Sequence, residues 1–167
     1  MNRRCFLVFS LVLMMSSRGT FRASDAVSIP LEEMALGSDV ILTGVCVSST
    51  SRWEPSSRMI MTDSVVRVDR YIKGAGPTTV LVTSLGGALP EYNLAMSVAE
   101  MAQFRPGEEV LLFLLATPGR SHSLYGMGRG KQVIQLDPVT RVRKIRGQLL
   151  ETFISEIGRI MRNQGRK

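Results

Sequence analysis

The sequence predicts a mainly β protein whose sheet is closed on itself or sandwiched, with a short helix ahead of it and an amphipathic helix behind it. Three observations carry that reading. Short β-branched and apolar segments alternate with Gly and Pro turn signals along most of the chain. The run Glu108–Ala116 is almost unbroken apolar sequence between two turn signals. Helical periodicity sets in only near the C-terminus, after Gly147.

The first segment reads as an address. Arg3 and Arg4 precede the apolar run Cys5–Met15, and a small-residue exit follows at Ser24, Asp25 and Ala26. That order is expected of a secretory signal peptide over residues 1–26, and the apolar run is too short to cross a hydrocarbon core of about 30 Å as a helix. The expected location is therefore secreted or periplasmic, with the mature chain starting near Val27. The remaining 141 residues have the size of one domain and can bury roughly two thirds of the surface that the unfolded chain exposes. Cys5 stands before the apolar run instead of after it, which argues against a lipid-anchored cysteine. Cys46 is then the only thiol left, so no intrachain disulfide is expected, and its place in Val40–Val47 fits a buried small hydrophobe.

Taken in order, Pro30 and Leu31–Ala35 predict a short helix, with Glu32 and Glu33 where the helix dipole favours negative charge and Gly37 ending it. Val40–Val47 predicts a buried strand with a bulge or bend at Gly44, bounded by the polar run Ser48–Ser51. Met59–Ile72 alternates closer to period two than to 3.6 and predicts a long strand ending at the Lys73–Pro77 turn signal. Thr78–Ser84 predicts a third strand closed by Gly86 and Gly87. Within 88–103, Tyr92–Val98 is read as a strand followed by a loop. Pro106 and Gly107 suit the centre of a type II turn, and Glu108–Ala116 follows as a fully buried strand. Ser123–Gly128 and Lys131–Leu136 are expected to form a hairpin around Arg129 and Gly130, ended by Asp137 and Pro138. Leu149, Leu150, Phe153, Ile154, Ile157, Ile160 and Met161 then fall on one side of a helix, with Glu151, Ser155, Glu156, Arg159 and Arg162 opposite; Gly147 precedes it and Gly165 follows. The expected organisation is a β domain over residues 27–140 and a basic C-terminal segment, 141–167, whose helix packs on it.

The net charge of +7 is unevenly placed. Residues 141–167 hold 8 basic and 2 acidic residues, whereas residues 27–140 hold 9 basic against 11 acidic. The basicity therefore belongs to the tail. No aromatic residue interleaves with the basic ones there in the manner of a base-stacking platform, so nucleic-acid binding is not expected. Peripheral contact of residues 141–167 with an anionic surface is one use of that charge, at about 1 kcal/mol per basic residue near such a surface. Packing of the helix stripe on the sheet, with the charges in water, is the reading that the stripe's apolar residues favour.

Three segments, Ser38–Val45, Val66–Val68 with Ile72, Lys73 and Gly74, and Phe104–Phe113, resemble secreted bacterial proteins whose strand order is similar to netrin-like modules and tissue inhibitors of metalloproteinases. The resemblance covers about residues 31–136. It implies an OB-like barrel, closed or partly open, with a β-sandwich as the alternative. Those inhibitors act through a disulfide-tied N-terminal cysteine that reaches the protease zinc, and no cysteine lies near Val27. No functional residue carries over.

Chemistry-bearing patterns are sparse. His122 is the only histidine, flanked by Ser121 and Ser123, and is read as a solvated turn residue instead of a catalytic base. One His, one Cys and scattered carboxylates offer no ligand-spaced set for a metal, and no cofactor is expected. Gly126–Lys131 has a superficial likeness to a phosphate loop, but Tyr125 stands where the first glycine belongs and Gln132 replaces the Ser/Thr; Lys131 is expected to face solvent on a glycine-rich hairpin. Arg52, Trp53 and Glu54 are expected in the loop between the first two strands, where a tryptophan beside two charges reads as a binding contact, or else folds back to plug the open end of the barrel. The functional expectation is a secreted, non-enzymatic binding or structural module whose partner is an unknown protein or envelope polymer. The alternative, an inhibitor or regulator of an extracellular hydrolase, rests on the resemblance alone.

Overall fold

A computed structural model describes residues 29–119 and 121–164; the signal-peptide reading of residues 1–26 and the expected helix stop at Gly165 lie outside them. The chain is mainly β with a C-terminal helix. Among the described residues no helix is long and apolar enough to cross a membrane.

Helix α1 (Leu31–Gly37) begins directly after Pro30 and holds Glu32 and Glu33 in its first turn. Its C-terminal carbonyls need partners. The Lys73 ammonium supplies them, donating to Ala35 O at 3.1 Å and Leu36 O at 2.9 Å, which also sets a cation at the negative end of the helix. Strands β1 (Val40–Glu54) and β2 (Met59–Lys73) form one long antiparallel hairpin, in register from Ile41 opposite Lys73 to Glu54 opposite Met59. The first strand is therefore much longer than the apolar run that announces it, and Ser48–Ser51 lie within it. One of its register shifts falls between Thr43 and Gly44, the bulge expected at that glycine.

β3 (Thr79–Leu85) pairs antiparallel with β2. β4 (Gly87–Leu89) and β5 (Leu94–Met96) form a small hairpin around a 3-10 turn at Pro90–Tyr92, so the single strand expected over Tyr92–Val98 is instead the return arm of a hairpin that starts earlier. Pro106 and Gly107 occupy the centre of a turn closed by Glu108 N–H donating to Arg105 O at 3.0 Å, with Gly107 at φ +86°. β6 (Glu109–Ala116) pairs antiparallel with β1, Val40 opposite Leu114 and Val45 opposite Glu109. β7 (Ser121–Leu124) pairs antiparallel with β6 and parallel with β3. The pairings thus return to their start, β1–β2–β3–β7–β6–β1.

β8 (Lys131–Val133) also pairs with β6, Leu112 opposite Lys131, while β7 places Leu124 opposite Leu114. Both lie on the edge of β6 away from β1, one after the other. The expected hairpin around Arg129 and Gly130 does not form: the two arms are successive pieces of one strand line, interrupted by a 3-10 turn at Met127–Gly130. β9 (Gln135–Leu136), β10 (Arg143–Ile145) and β11 (Gln148–Leu149) make a small separate sheet that leads into α2 (Leu150–Gln164). Leu149 belongs to β11 and is exposed, not part of the helix stripe.

Two buried clusters share β6. Val110, Leu112 and Leu114 face one side with Leu42, Cys46, Val66, Val80, Val82, Phe104 and Leu124. Leu111 and Phe113 face the other with Ile41, beneath Met34 and Ala35 of α1, Ile145 of β10, and Leu150, Phe153, Ile154 and Ile157 of α2. A strand covered on both faces has no reason to alternate, which explains the unbroken apolar run. The basic stretch after Asp137 is built into this arrangement: Arg143 pairs with Glu109 at 3.2 Å and Lys144 with Asp137 at 3.1 Å. Asp137 also accepts the Val139 and Thr140 N–H groups. Together these hold its carboxyl well below the usual carboxylate range.

Candidate functional site

β6 follows β1 only as far as Val45. Beyond that point the β1–β2–β3 sheet continues without β6 opposite, and its inward face lines a cleft of about 360 Å3. Period-two alternation decides which side chains point in. Cross-strand pairs Ser49–Ser64, Ser51–Thr62 and Trp53–Ile60 share one face, the face that carries buried Val66 and Val82 further along. The opposite wall comes from β4, β5 and the stretch Ser97–Phe104.

The cleft is polar by hydroxyl groups. Ser49 and Ser64 oxygens lie 3.1 Å apart, Ser51 and Thr62 oxygens 3.0 Å apart, and Thr62 donates to Gly86 O at 2.6 Å. Ala88 N–H donates to Ser51 Oγ at 3.3 Å. The backbone can cross these hydroxyls only at a residue without a side chain: Gly87 has φ +141°, and a Cβ there would collide with Ser51 Oγ and Thr62 Oγ1. None of the sixteen described residues lining the cleft is charged.

The outer wall is held by a cation that the sequence places in water. Lys131 is only 7% exposed at its side chain. Its ammonium reaches Glu108 at 2.5 Å, donates to Gln103 O at 2.5 Å and lies 4.8 Å from the Phe104 ring centre, a cation–π distance. Because β8 pairs along β6, Lys131 is brought against the turn that precedes β6. Burial first, and then the Glu108 charge, pushes the nearby Cys46 thiol up, so this free, buried cysteine stays protonated and acts as an apolar filler.

The three residues singled out from sequence are divided by the strand they occupy. Arg52, Trp53 and Glu54 lie at the end of β1, not in a loop. Arg52 bonds Asp63 at 2.7 Å and also bonds Glu54, whose other oxygen accepts from Ser56. Arg52 holds the Glu54 carboxyl below its usual range, with Ser56 adding to the effect, and Asp63 and Glu54 hold the guanidinium charged. Trp53 points to the opposite face, the one that carries the hydroxyls, and is 47% exposed. His122 is a strand residue of β7 and not a solvated turn residue, partly buried, with an Nδ1 atom that is shielded from solvent and has no hydrogen-bond partner.

Ser49, Ser51, Thr62 and Ser84 were not legible as site residues, because each alone is an ordinary strand or loop hydroxyl. The available signal was their spacing by two on neighbouring strands. Compared with known proteins, the chain matches no family model and no curated sequence.

Proposed function

We propose that this chain is a non-enzymatic binding module that acts outside the cytoplasm and takes its ligand in the cleft beside Trp53. The observation that carries this reading is the cleft itself, a preformed concavity with an uncharged, hydroxyl-bearing floor; half-exposed Trp53 follows Ser51 by two residues on the same face of β1. The functional reading also rests on the fold. Five strands pairing in a ring, closed between the first and fourth and with the third parallel to the fifth, support an OB-type barrel of the netrin-like kind, an architecture that presents one sheet face and its flanking loops to ligands. His122 sits on β7, and neither it nor the buried Cys46 is among the residues lining the cleft.

The test is a thermal-shift screen of the purified protein against neutral glycans, acidic polymers and peptides. At least one class is expected to raise the Tm by mass action. Ser84→Ala, which removes a hydroxyl from the cleft lining, is expected to reduce that rise. A panel in which no class shifts the Tm overturns the module reading.

A further inference from the structure

Apolar side chains gather on the small sheet formed by β9, β10 and β11. Of the eleven large apolar side chains exposed among the described residues, five lie between 133 and 149: Val133, Leu136, Val139, Val142 and Leu149. Single exposed apolar residues are ordinary on a protein surface, whereas a group of them on one element marks a contact.

Pairing shows how the group is arranged. Lys144 stands opposite both Gln135 and Leu149, and side chains directly opposite one another share a face. Asp137 N–H donates to Val142 O at 2.9 Å, which carries the ladder one step further and puts Val142 on that same face, two residues from Lys144. Arg143 and Ile145 turn the other way, Arg143 to Glu109 and Ile145 into the core. The outer face thus holds Val142, Lys144 and Leu149. Val139 stands in the turn that joins β9 to β10 and is 87% exposed.

The charge left over on this sheet is of one sign. Asp137 is the only acidic residue between 133 and 149, and its carboxylate is spent on the Val139 and Thr140 N–H groups and on Lys144 at 3.1 Å. Those contacts also brace the turn that displays Val139. Arg141 lies just before β10 and Arg146 just after it; both are exposed, and neither forms an ion pair among the described residues.

That combination selects a partner. An apolar row with an uncompensated arginine at each end fits a surface that is hydrocarbon inside and anionic outside, the interface of a membrane containing acidic phospholipid. A stable protein partner needs roughly 20–30 residues a side, many more than this face offers. A soluble polyanion would satisfy the arginines and leave Val139, Val142 and Leu149 in water.

We infer that the outer face of this small sheet docks on an anionic lipid surface, with Val139, Val142 and Leu149 entering the headgroup region and Arg141 and Arg146 on its phosphates. The stripe of α2 is not available for that purpose, since Phe153, Ile154 and Ile157 are buried in the core. Two free charges and three apolar side chains give weak, reversible attachment. None of these residues lines the cleft, so the docking surface and the cleft are tested separately.

The test reads the turn itself. Trp53 is the only tryptophan, so in the full chain carrying Trp53→Phe and Val139→Trp all tryptophan emission comes from position 139, whatever other segment meets lipid. Vesicles of equimolar phosphatidylglycerol and phosphatidylcholine are expected to shift that emission to the blue, and phosphatidylcholine alone to leave it unchanged. Raising the salt concentration is expected to reverse the shift. Arg141→Gln and Arg146→Gln, added singly, are each expected to raise the lipid concentration at half-saturation about fivefold, while circular dichroism shows the fold retained. Val139→Ser in the otherwise unaltered chain serves if Trp53→Phe does not fold, and is expected to need several-fold more mixed-vesicle lipid for cosedimentation. Emission that stays in place while the protein sediments with the mixed vesicles overturns the assignment, as does an equal shift with phosphatidylcholine. Arginine or Val139→Ser variants that bind at full strength overturn it too. A shift produced by heparin and by no vesicle overturns it in favour of a soluble polyanion.

Discussion

Lys131 follows a glycine-rich turn and by sequence belongs in water, yet its ammonium ends between Glu108, Gln103 O and the Phe104 ring. The partners lie some two dozen residues away and reach it only because β8 runs along β6. Removing one member of a mostly buried pair leaves the other charged and poorly solvated, whereas removing both does not. Lys131→Met is therefore expected to lower stability by about 3 kcal/mol in urea unfolding. The double variant Lys131→Met/Glu108→Gln is expected to lose clearly less than the two single losses added together. Strict additivity would show that the pair is not coupled. A second consequence at this scale is chemical: Cys46 is 1% exposed, and the pair sits close enough to influence its thiol.

At the scale of elements, β1 carries most of what was and was not readable. Val40–Val47 announced itself by β-branched residues, and Gly44 marked its bulge. The continuation through Glu54 was hidden because its inward residues are Ser49 and Ser51, which bond across to Ser64 and Thr62 and so erase the apolar half of the alternation. The same polarity that concealed the strand makes the cleft. Arg52, Trp53 and Glu54 were read together as one loop, but a strand turns Arg52 and Glu54 to the face opposite Trp53. The β7–β8 line was misread as a hairpin for a related reason: a glycine-rich interruption looks like a reversal when the shared partner, β6, is remote. Gly44 gives the direct test of the hairpin's geometry. A Cβ there would strike Arg67 O and crowd Val66 Cγ1 at 2.9 Å, and a ladder carbonyl cannot retreat freely. Gly44→Ala is expected to cost about 3 kcal/mol, read as a lower urea midpoint with unchanged slope.

For the whole molecule, α2 is part of the core. Ile157 is fully buried in the cluster that also holds Ile41, Phe113 and Ile145, joining both ends of the described chain through one strand. Ile157→Ala is expected to cost about 2–5 kcal/mol, and the loss is expected in a single transition when far-UV ellipticity and Trp53 emission are followed together. A helix that melted ahead of the sheet would separate the two signals and refute a shared core.

The seam between β1 and β6 sets Val40 against Leu114, residues separated by most of the sequence that the sheet comprises. Such a junction demands that a long loop lose its freedom before any contact there repays it. A ribosome delivers the first strand well before the sixth, so every newborn copy waits with an unsealed margin of amide and carbonyl groups along β1. That margin is what another copy's strand would adhere to. Closing the β1–β6 seam therefore removes an edge at which copies could pair.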